Sequence, residues 1–389
     1  MDIGLVGKPN VGKSTLFKAL TMADAEIAAH PFTTISANIG VGYVRSKCPC
    51  TDFDASCNPK NGLCLSGERF TPIKCVDVAG LVPGAHEGKG LGNQFLDDLR
   101  QADVLIHVVD ISGRTDDVGE ACEGHDPEED IRFLEEEVDL WFAQIVKKNW
   151  KKVEGKIKYE SKKVERELAA VLSGIGVNEY HIKKAIDDAG LAHNKKWGGD
   201  ECHEFALKLR RISKPIIIAA NKIDLGGKNF KRLSAEYDMV GVCAEAELAL
   251  READAHGFIE YIPGDGDFKV KGELDEKKGK ALGFIKERIF SEYGSTGAQK
   301  ALNRAVYDKL GLITVYPVEN EGKLSDGKGN VLPDSFLLPK GSTVLDLAYR
   351  IHTDIGDKFI GAIDCRTKMK VGKDHALSDC DIIKILSRA

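Results

Sequence analysis

At 389 residues the chain is too long for one ordinary domain, and a prior of two or three follows from length alone. Its 42% hydrophobic content permits real cores, while a formal charge of −6 and a pI near 6.0 exclude a globally basic nucleic-acid binder, so any such contact must come from a local patch. No apolar run reaches membrane-spanning length and the first strand leaves no room for a signal peptide, so a cytoplasmic protein with no membrane partner is expected.

Ile3 to Val6 reads as a buried strand, and Gly7-Lys8-Pro9-Asn10-Val11-Gly12-Lys13-Ser14 fits G-x-x-x-x-G-K-S ahead of a helix with apolar Leu16, Phe17 and Leu20. Gly7 and Gly12 let the backbone wrap closely round a polyphosphate. The amides of Asn10, Val11 and Gly12, with the helix start at Lys13, Ser14 and Thr15, supply the positive potential. Lys13 should reach the β- and γ-phosphates, and Ser14 offers a hydroxyl to Mg2+.

His30-Pro31-Phe32-Thr33-Thr34 then precedes an alternating strand over 37–44. This is where a magnesium-binding threonine belongs in such an enzyme, which makes Thr34 a metal candidate and Thr33 its neighbour near the γ-phosphate; a plain turn is the alternative. The strand from Ile73 ends in Asp77-Val78-Ala79-Gly80, a D-x-x-G that places Asp77 to hold magnesium through a water and the Gly80 amide to meet a γ-phosphate. The glycine-rich stretch from Leu81 to Gly92 looks built to move.

Val104 to Asp110 is an apolar run suited to a parallel strand buried on both faces. From 127 to 211 the pattern is helical and highly charged, as expected of an inserted α-helical subdomain. Its charges are segregated: residues 116–139 hold twelve acidic and one basic residue, residues 147–166 nine basic and three acidic. The basic stretch reads equally as a solvated helix face and as an RNA contact.

Pro215 to Ala220 is a further buried strand leading into Asn221-Lys222-Ile223-Asp224. The Asp224 carboxylate can accept from guanine N1–H and its exocyclic amine, neither of which adenine offers there. Such a site can reject the wrong base by about four orders of magnitude. Asn221 and Lys222 would tie this loop to the phosphate loop. After a strand over Met239–Val242, a backbone amide at Cys243 or Ala244 could reach the guanine oxygen. Residues 246–310 are largely helical and polar, with a loop at 261–266. From Leu312 a compact α+β module begins: a strand over Leu312–Tyr316, a helix capped by Ser342 or Thr343 and running to about His352, and a closing strand over Ile382–Leu386. The divisions are 1–126 with 212–310, the insert 127–211, and the module 311–389.

Cys48, Cys50, Cys57 and Cys64 lie in a Pro-, Asn-, Asp- and Gly-rich segment. Their spacing suits an all-thiolate Zn2+ site; disulfides and unrelated free thiols are the alternatives.

The G-x-x-x-x-G-K-S segment, Pro31-Phe32-Thr33-Thr34, Asp77-Val78-Ala79-Gly80-Leu81-Val82 and the Gly88 to Phe95 stretch together resemble the Obg-type GTPases, especially the YchF subfamily. The C-terminal module is similar to a TGS domain, the β-grasp unit of that group and of threonyl-tRNA synthetases. The resemblance implies an α/β fold: a P-loop NTPase of Ras-like type (a G domain) with an inserted α-helical subdomain and a C-terminal β-grasp TGS domain. It implies a GTPase switch acting on the ribosome or its RNA. YchF members outside the archaea commonly degrade the base-reading motif and accept ATP; here Asn221 to Asp224 is intact, which favours GTP and resembles an archaeal branch. Where Ras-like enzymes place a catalytic Gln this chain has Leu81, which cannot orient water. The resemblance offers a K+ ion held partly by Asn10 instead, with Lys13 beside it, and His86 is a second candidate for helping the water. Two other readings stay open: a P-loop phosphotransferase, in which Asn221 to Asp224 would have no role, and a non-hydrolytic nucleotide-gated sensor, which Leu81 permits.

Overall fold

The computed structural model describes residues 1–21, 38–78, 92–160, 163–191 and 197–388. Its main sheet has seven strands, β1 (Asp2–Val6), β2 (Ile39–Lys47), β3 (Leu63–Leu65), β4 (Glu68–Asp77), β5 (Val104–Asp110), β6 (Ile216–Asn221) and β7 (Met239–Val242), ordered β2-β4-β1-β5-β6-β7 with β3 beside the start of β4. β4, β1, β5, β6 and β7 run parallel, whereas β2 and β3 pair antiparallel with β4. Every residue of β5 is buried, so the strand that read as continuously apolar is covered on both faces.

The helices described up to residue 255 are α1 (Lys13–Thr21), α2 (Gly92–Gln101), α3 (Pro127–Glu160), α4 (Val164–Leu172), α5 (Glu179–Asp188), α6 (Gly199–Ser213), α7 (Ile223–Leu233) and α8 (Ala244–Ala255). On one face of the sheet, Leu16 and Leu20 of α1 join Ala298, Leu302 and Val306 of a later helix over Ile3, Leu5, Ile106 and Val108. On the other, Phe95 and Leu99 of α2 form one core with Trp141, Phe142, Trp150, Trp197 and Phe205. Trp150 stacks on Trp197, ring centroids 4.2 Å apart. The helical insert is therefore not a separate globule: its apolar side is continuous with the sheet's second face, which supplies the burial that four charged helices could not find alone.

Two elements were hidden from sequence patterning. β4 starts at Glu68, five residues before the apolar signal at Ile73, because a Ser66-Gly67 turn (φ 50° and 83°) folds β3 back on it in the two-residue hairpin geometry that needs positive φ at both positions. Within the polar region after α8, a short hairpin pairs β8 (Ile259–Glu260) with β9 (Lys269–Val270) before helix α9 (Glu276–Phe284).

The C-terminal sheet has five strands, β10 (Leu312–Val318), β11 (Phe336–Pro339), β12 (Phe359–Asp364), β13 (Lys370–Val371) and β14 (Ile382–Ser387), ordered β11-β10-β14-β12-β13. β10 and β14 are parallel and the other pairs antiparallel, with a helix over Val344–Ile351 packing Val344 and Leu347 onto Val315 and Ile383. Thr343 rather than Ser342 is its N-cap: the Asp346 amide donates to Thr343 Oγ1 while the Thr343 amide donates to the Asp346 carboxylate at 2.7 Å.

Candidate functional site

The phosphate loop links the C-terminal end of β1 to α1, so the amides of the helix's first turn and the loop face one concavity at the carboxyl edge of the parallel strands. Gly7 is required by close approach, since a Cβ there would lie 2.5 Å from the Val108 carbonyl oxygen. Gly12 is required twice over: its φ is +89°, and a Cβ would lie 2.2 Å from Nδ2 of Asn221. Val11 is buried and anchors the loop in the sheet's core. Asn10 has φ 62° and its side-chain amide donates to the Gly119 carbonyl at 2.9 Å. Thr15 is half-buried in the first turn of α1.

The register Leu5↔Asp77 sets the end of β4 beside the phosphate loop. As a result Lys13 Nζ pairs with Asp77 Oδ1, and Ser14 Oγ donates to Asp77 Oδ2 at 3.1 Å. Two hard oxygen donors and an ammonium thus meet at one point, and Ser14 with Asp77 suits a magnesium ion that keeps most of its waters and borrows phosphate oxygens. Thr33, Thr34, Gly80, Leu81 and His86 lie outside the described residues.

The Asn221 to Asp224 loop follows β6. Asn221 is buried and acts as a cross-brace: its Nδ2 donates to the Val11 carbonyl at 2.8 Å, and its Oδ1 accepts from the Ala244 amide at 3.0 Å. Lys222, at φ 59°, extends over the phosphate loop, Nζ donating to the Asn10 carbonyl at 3.2 Å and to Asp110 Oδ2 at 2.7 Å. Asp224 is exposed, with one carboxylate oxygen 3.5 Å from the donating Cys243 thiol. Burial pushes that thiol up to about 12, and the Asp224 charge adds to the shift, so Cys243 stays protonated as a donor. The Cys243 amide donates to the Thr296 carbonyl at 2.8 Å and the Ala244 amide is engaged with Asn221, so both amides expected to meet a guanine oxygen have protein partners here.

Three participants escaped sequence reasoning. Asp110, at the end of β5, is 1% exposed; burial would raise its pKa, but hydrogen bonds from Lys222, Ser112 and Thr115 with the Lys222 charge hold it below the ordinary carboxylate value. Lys8, a free position in the motif, is buried with Nζ 2.8 Å from Asp130 Oδ1 and 2.9 Å from the Thr115 carbonyl. Asp130, in the first turn of α3, also lies 3.0 Å from His125 Nε2. The phosphate loop is thereby tied to the root of the helical insert. Only the strand-end position of Asp110 was a signal; the other two meet across more than a hundred residues.

The segregated charges separate in the structure. On the acidic side Asp126 and Glu128 pair with Arg232, and Asp139 with Arg210, so part of that charge is neutralised internally. On the basic side Lys147, Lys148, Lys151 and Lys152 are exposed, while Lys156 pairs with Glu167 at 3.1 Å. No helix among the described residues is long and apolar enough to cross a membrane. The four clustered cysteines carry no disulfide and could hold a zinc ion.

Family models match three segments: a 50S ribosome-binding GTPase over residues 2–153, an Obg-like GTPase YGR210-like, G4 motif-containing domain over 219–320, and a TGS domain over 324–387. An uncharacterized GTP-binding protein of Methanocaldococcus jannaschii is 49% identical, covering 100% of this chain and 99% of its own. A ribosome-binding ATPase YchF of Bacillus subtilis is 31% identical over 98% of each chain. The crystal structure of a GTP-binding protein from Pyrococcus horikoshii matches with TM-score 0.81 at 43% identity, covering 100% of both chains.

Proposed function

Since the chain belongs to the Obg-like GTPases related to YchF, with a TGS domain at its C-terminal end, we propose that it hydrolyses GTP to GDP and phosphate and acts as a nucleotide-dependent switch on the ribosome. The observation that carries this reading is the Asn221 brace, which holds a guanine-type N-K-x-D loop and a phosphate loop in one rigid frame. Lys13 would turn from Asp77 to the β- and γ-phosphates, and Ser14 and Asp77 would hold a magnesium ion, which would supply charge neutralisation at those phosphates. Thr34 belongs to the same magnesium shell, Thr33, Gly80 and Leu81 to the γ-phosphate end, and the amides of Gly7 and of Asn10 to Thr15 to the phosphate cradle.

Asp224 selects guanine. Its exposure leaves it free to accept the N1 and amine protons, and the bound base would bury it and make an unmatched adenine costly. Because the Cys243 and Ala244 amides are engaged, the guanine oxygen competes with Asn221 for the Ala244 amide. Asn10 with a potassium ion, and His86, are the residues left to assist the water. Ribosome contact falls to the TGS domain and to the exposed lysines of α3, which suit phosphate.

The test is nucleotide titration with single-turnover phosphate release. GTP should bind far more tightly than ATP and release phosphate, and Asp224→Asn should shift preference to xanthine nucleotide. Equal affinities for ATP and GTP would overturn the base assignment. Tight GTP binding without phosphate release would make the protein a nucleotide-gated sensor, and a phosphorylated acceptor would make it a phosphotransferase.

A further inference from the structure

Away from the nucleotide loops, the connection between β2 and β4 presents a structural problem. Residues 49–62 contain a short 3-10 turn, Pro49–Asp52, and few apolar side chains, with Phe53 and Ala55 only partly buried. Yet this stretch seats the TGS domain. The Asn58 amide donates to the Val331 carbonyl at 3.1 Å, and Asn58 Oδ1 accepts from the Val331 amide at 2.6 Å. The Lys60 amide donates to the Pro333 carbonyl at 2.8 Å, and Asp52 pairs with Arg366 at 2.9 Å. A loop that cannot build a core of its own needs a staple to present such contacts in register.

The four cysteines supply the ligands for one. Their Sγ atoms all lie within 4.8 Å of one another, with Cys48 to Cys57 and Cys50 to Cys64 each 3.8 Å apart. Zinc bound to four thiolates at about 2.3 Å has sulfur–sulfur edges of about 3.8 Å by tetrahedral geometry. A disulfide requires about 2.05 Å. The backbone holds the quartet from three sides. The Cys48 amide donates to the Gly67 carbonyl at 2.8 Å, the Ala55 amide to the Cys50 carbonyl at 3.0 Å, and Cys64 sits on β3 opposite Arg69. Cys48 and Cys50 are buried in one cluster with Tyr316, Val318 and Ile382 of the C-terminal sheet and Leu332 of the connection between β10 and β11. Arg69, fully buried, sends its guanidinium to the Leu332 carbonyl at 3.0 Å, so a permanent positive charge lies beside the thiols.

We propose that Cys48, Cys50, Cys57 and Cys64 bind one structural zinc ion that fixes the β2–β4 connection as the seat of the TGS domain. Four thiols release four protons on taking up Zn2+, leaving a centre of net charge −2 that the Arg69 guanidinium partly offsets. The metal replaces the apolar core that the loop lacks, and it couples ion occupancy to the contact between the two domains without touching the nucleotide loops.

The test uses the full chain purified under reducing conditions. Elemental analysis should find about one zinc per chain, and cobalt(II) substitution should give the visible absorption of tetrahedral thiolate coordination. Cys57→Ser and Cys64→Ser should each lose the metal, and wild type stripped by a chelator provides the same comparison if a variant does not fold. In the stripped protein, hydrogen exchange over 48–64 and 324–335 should accelerate while GDP affinity stays within about twofold. A reduced chain that takes up no zinc, native cysteines found as disulfides by mass, or full metal loss with unchanged exchange over 324–335 would each overturn the proposal. It does not rest on the nucleotide reading, which can fail with zinc retained.

Discussion

Asn221→Ala removes both arms of the brace between the Asn221 to Asp224 loop and the phosphate loop. The Val11 carbonyl and the Ala244 amide are buried against Asn221, itself 3% exposed, so truncation leaves one acceptor and one donor unsatisfied. Each such group costs about 1–3 kcal/mol, and water entering the space left by the side chain recovers part of it, so about 2–3 kcal/mol in all is the working figure. Much of this should appear in nucleotide affinity, because the loops relax apart and binding must restore their alignment. GDP affinity is then expected to fall about 30- to 150-fold by calorimetry or by fluorescent-nucleotide titration. The brace also predicts coupling to Gly12. A Cβ at Gly12 would meet only Asn221 atoms within 4 Å, the nearest at 2.2 Å. Gly12→Ala should therefore be damaging in wild type, by clash and by strain at φ +89°, but in the Asn221→Ala background only the strain, about 1–2 kcal/mol, remains. Losses in affinity that add strictly across the two single variants would refute the brace, as would an Asn221→Ala protein that binds GDP like wild type.

Asn10→Ala should abolish potassium stimulation of phosphate release while retaining nucleotide binding, and identical wild-type rates in sodium and potassium would remove that role. Neutralising Lys147, Lys148, Lys151 and Lys152 together should flatten the salt dependence of ribosome co-sedimentation, by about 0.9 of log-log slope for each phosphate no longer neutralised, with hydrolysis untouched. Unchanged co-sedimentation at every salt concentration would make the stretch a solvated helix face and leave the TGS domain to bind the ribosome alone. His107 on β5 is buried, and desolvation with the nearby Lys8 charge lowers its pKa to about 3. Its folded pKa lies below the unfolded value, so the unfolded chain binds the extra proton between about pH 6.5 and 3 and stability falls as pH drops through that window. His107→Gln should remove up to about 1.4 kcal/mol per pH unit from that slope in denaturant unfolding, and an identical slope in both proteins would refute the assignment.

The nucleotide motifs were legible because their chemistry is local. G-x-x-x-x-G-K-S places amides, an ammonium and a hydroxyl within eight consecutive residues, and the turn from β1 into α1 brings them to one concavity. The same holds for the Asn221 to Asp224 loop and for the helix start at Ser342 or Thr343, between which the pairing with Asp346, seen only in the structure, decides for Thr343. Strand β5 was legible in full because burial on both faces leaves an uninterrupted apolar run. What tertiary structure decided lies where partners are far apart in sequence. Lys8 with Asp130, Lys222 with Asp110, and Ala244 with Asn221 are set by strand register and by the fold of the 111–126 segment over the phosphate loop, which no spacing encodes. The insert's charge pattern suggested a separate unit, yet its tryptophans complete the second face of the sheet, because an amphipathic helix shows that it has an apolar side and not what will cover it. Arg69 is the sharpest instance: its charge reads as surface, and it is fully buried because carbonyls of the TGS domain, more than 250 residues away in sequence, converge on its guanidinium.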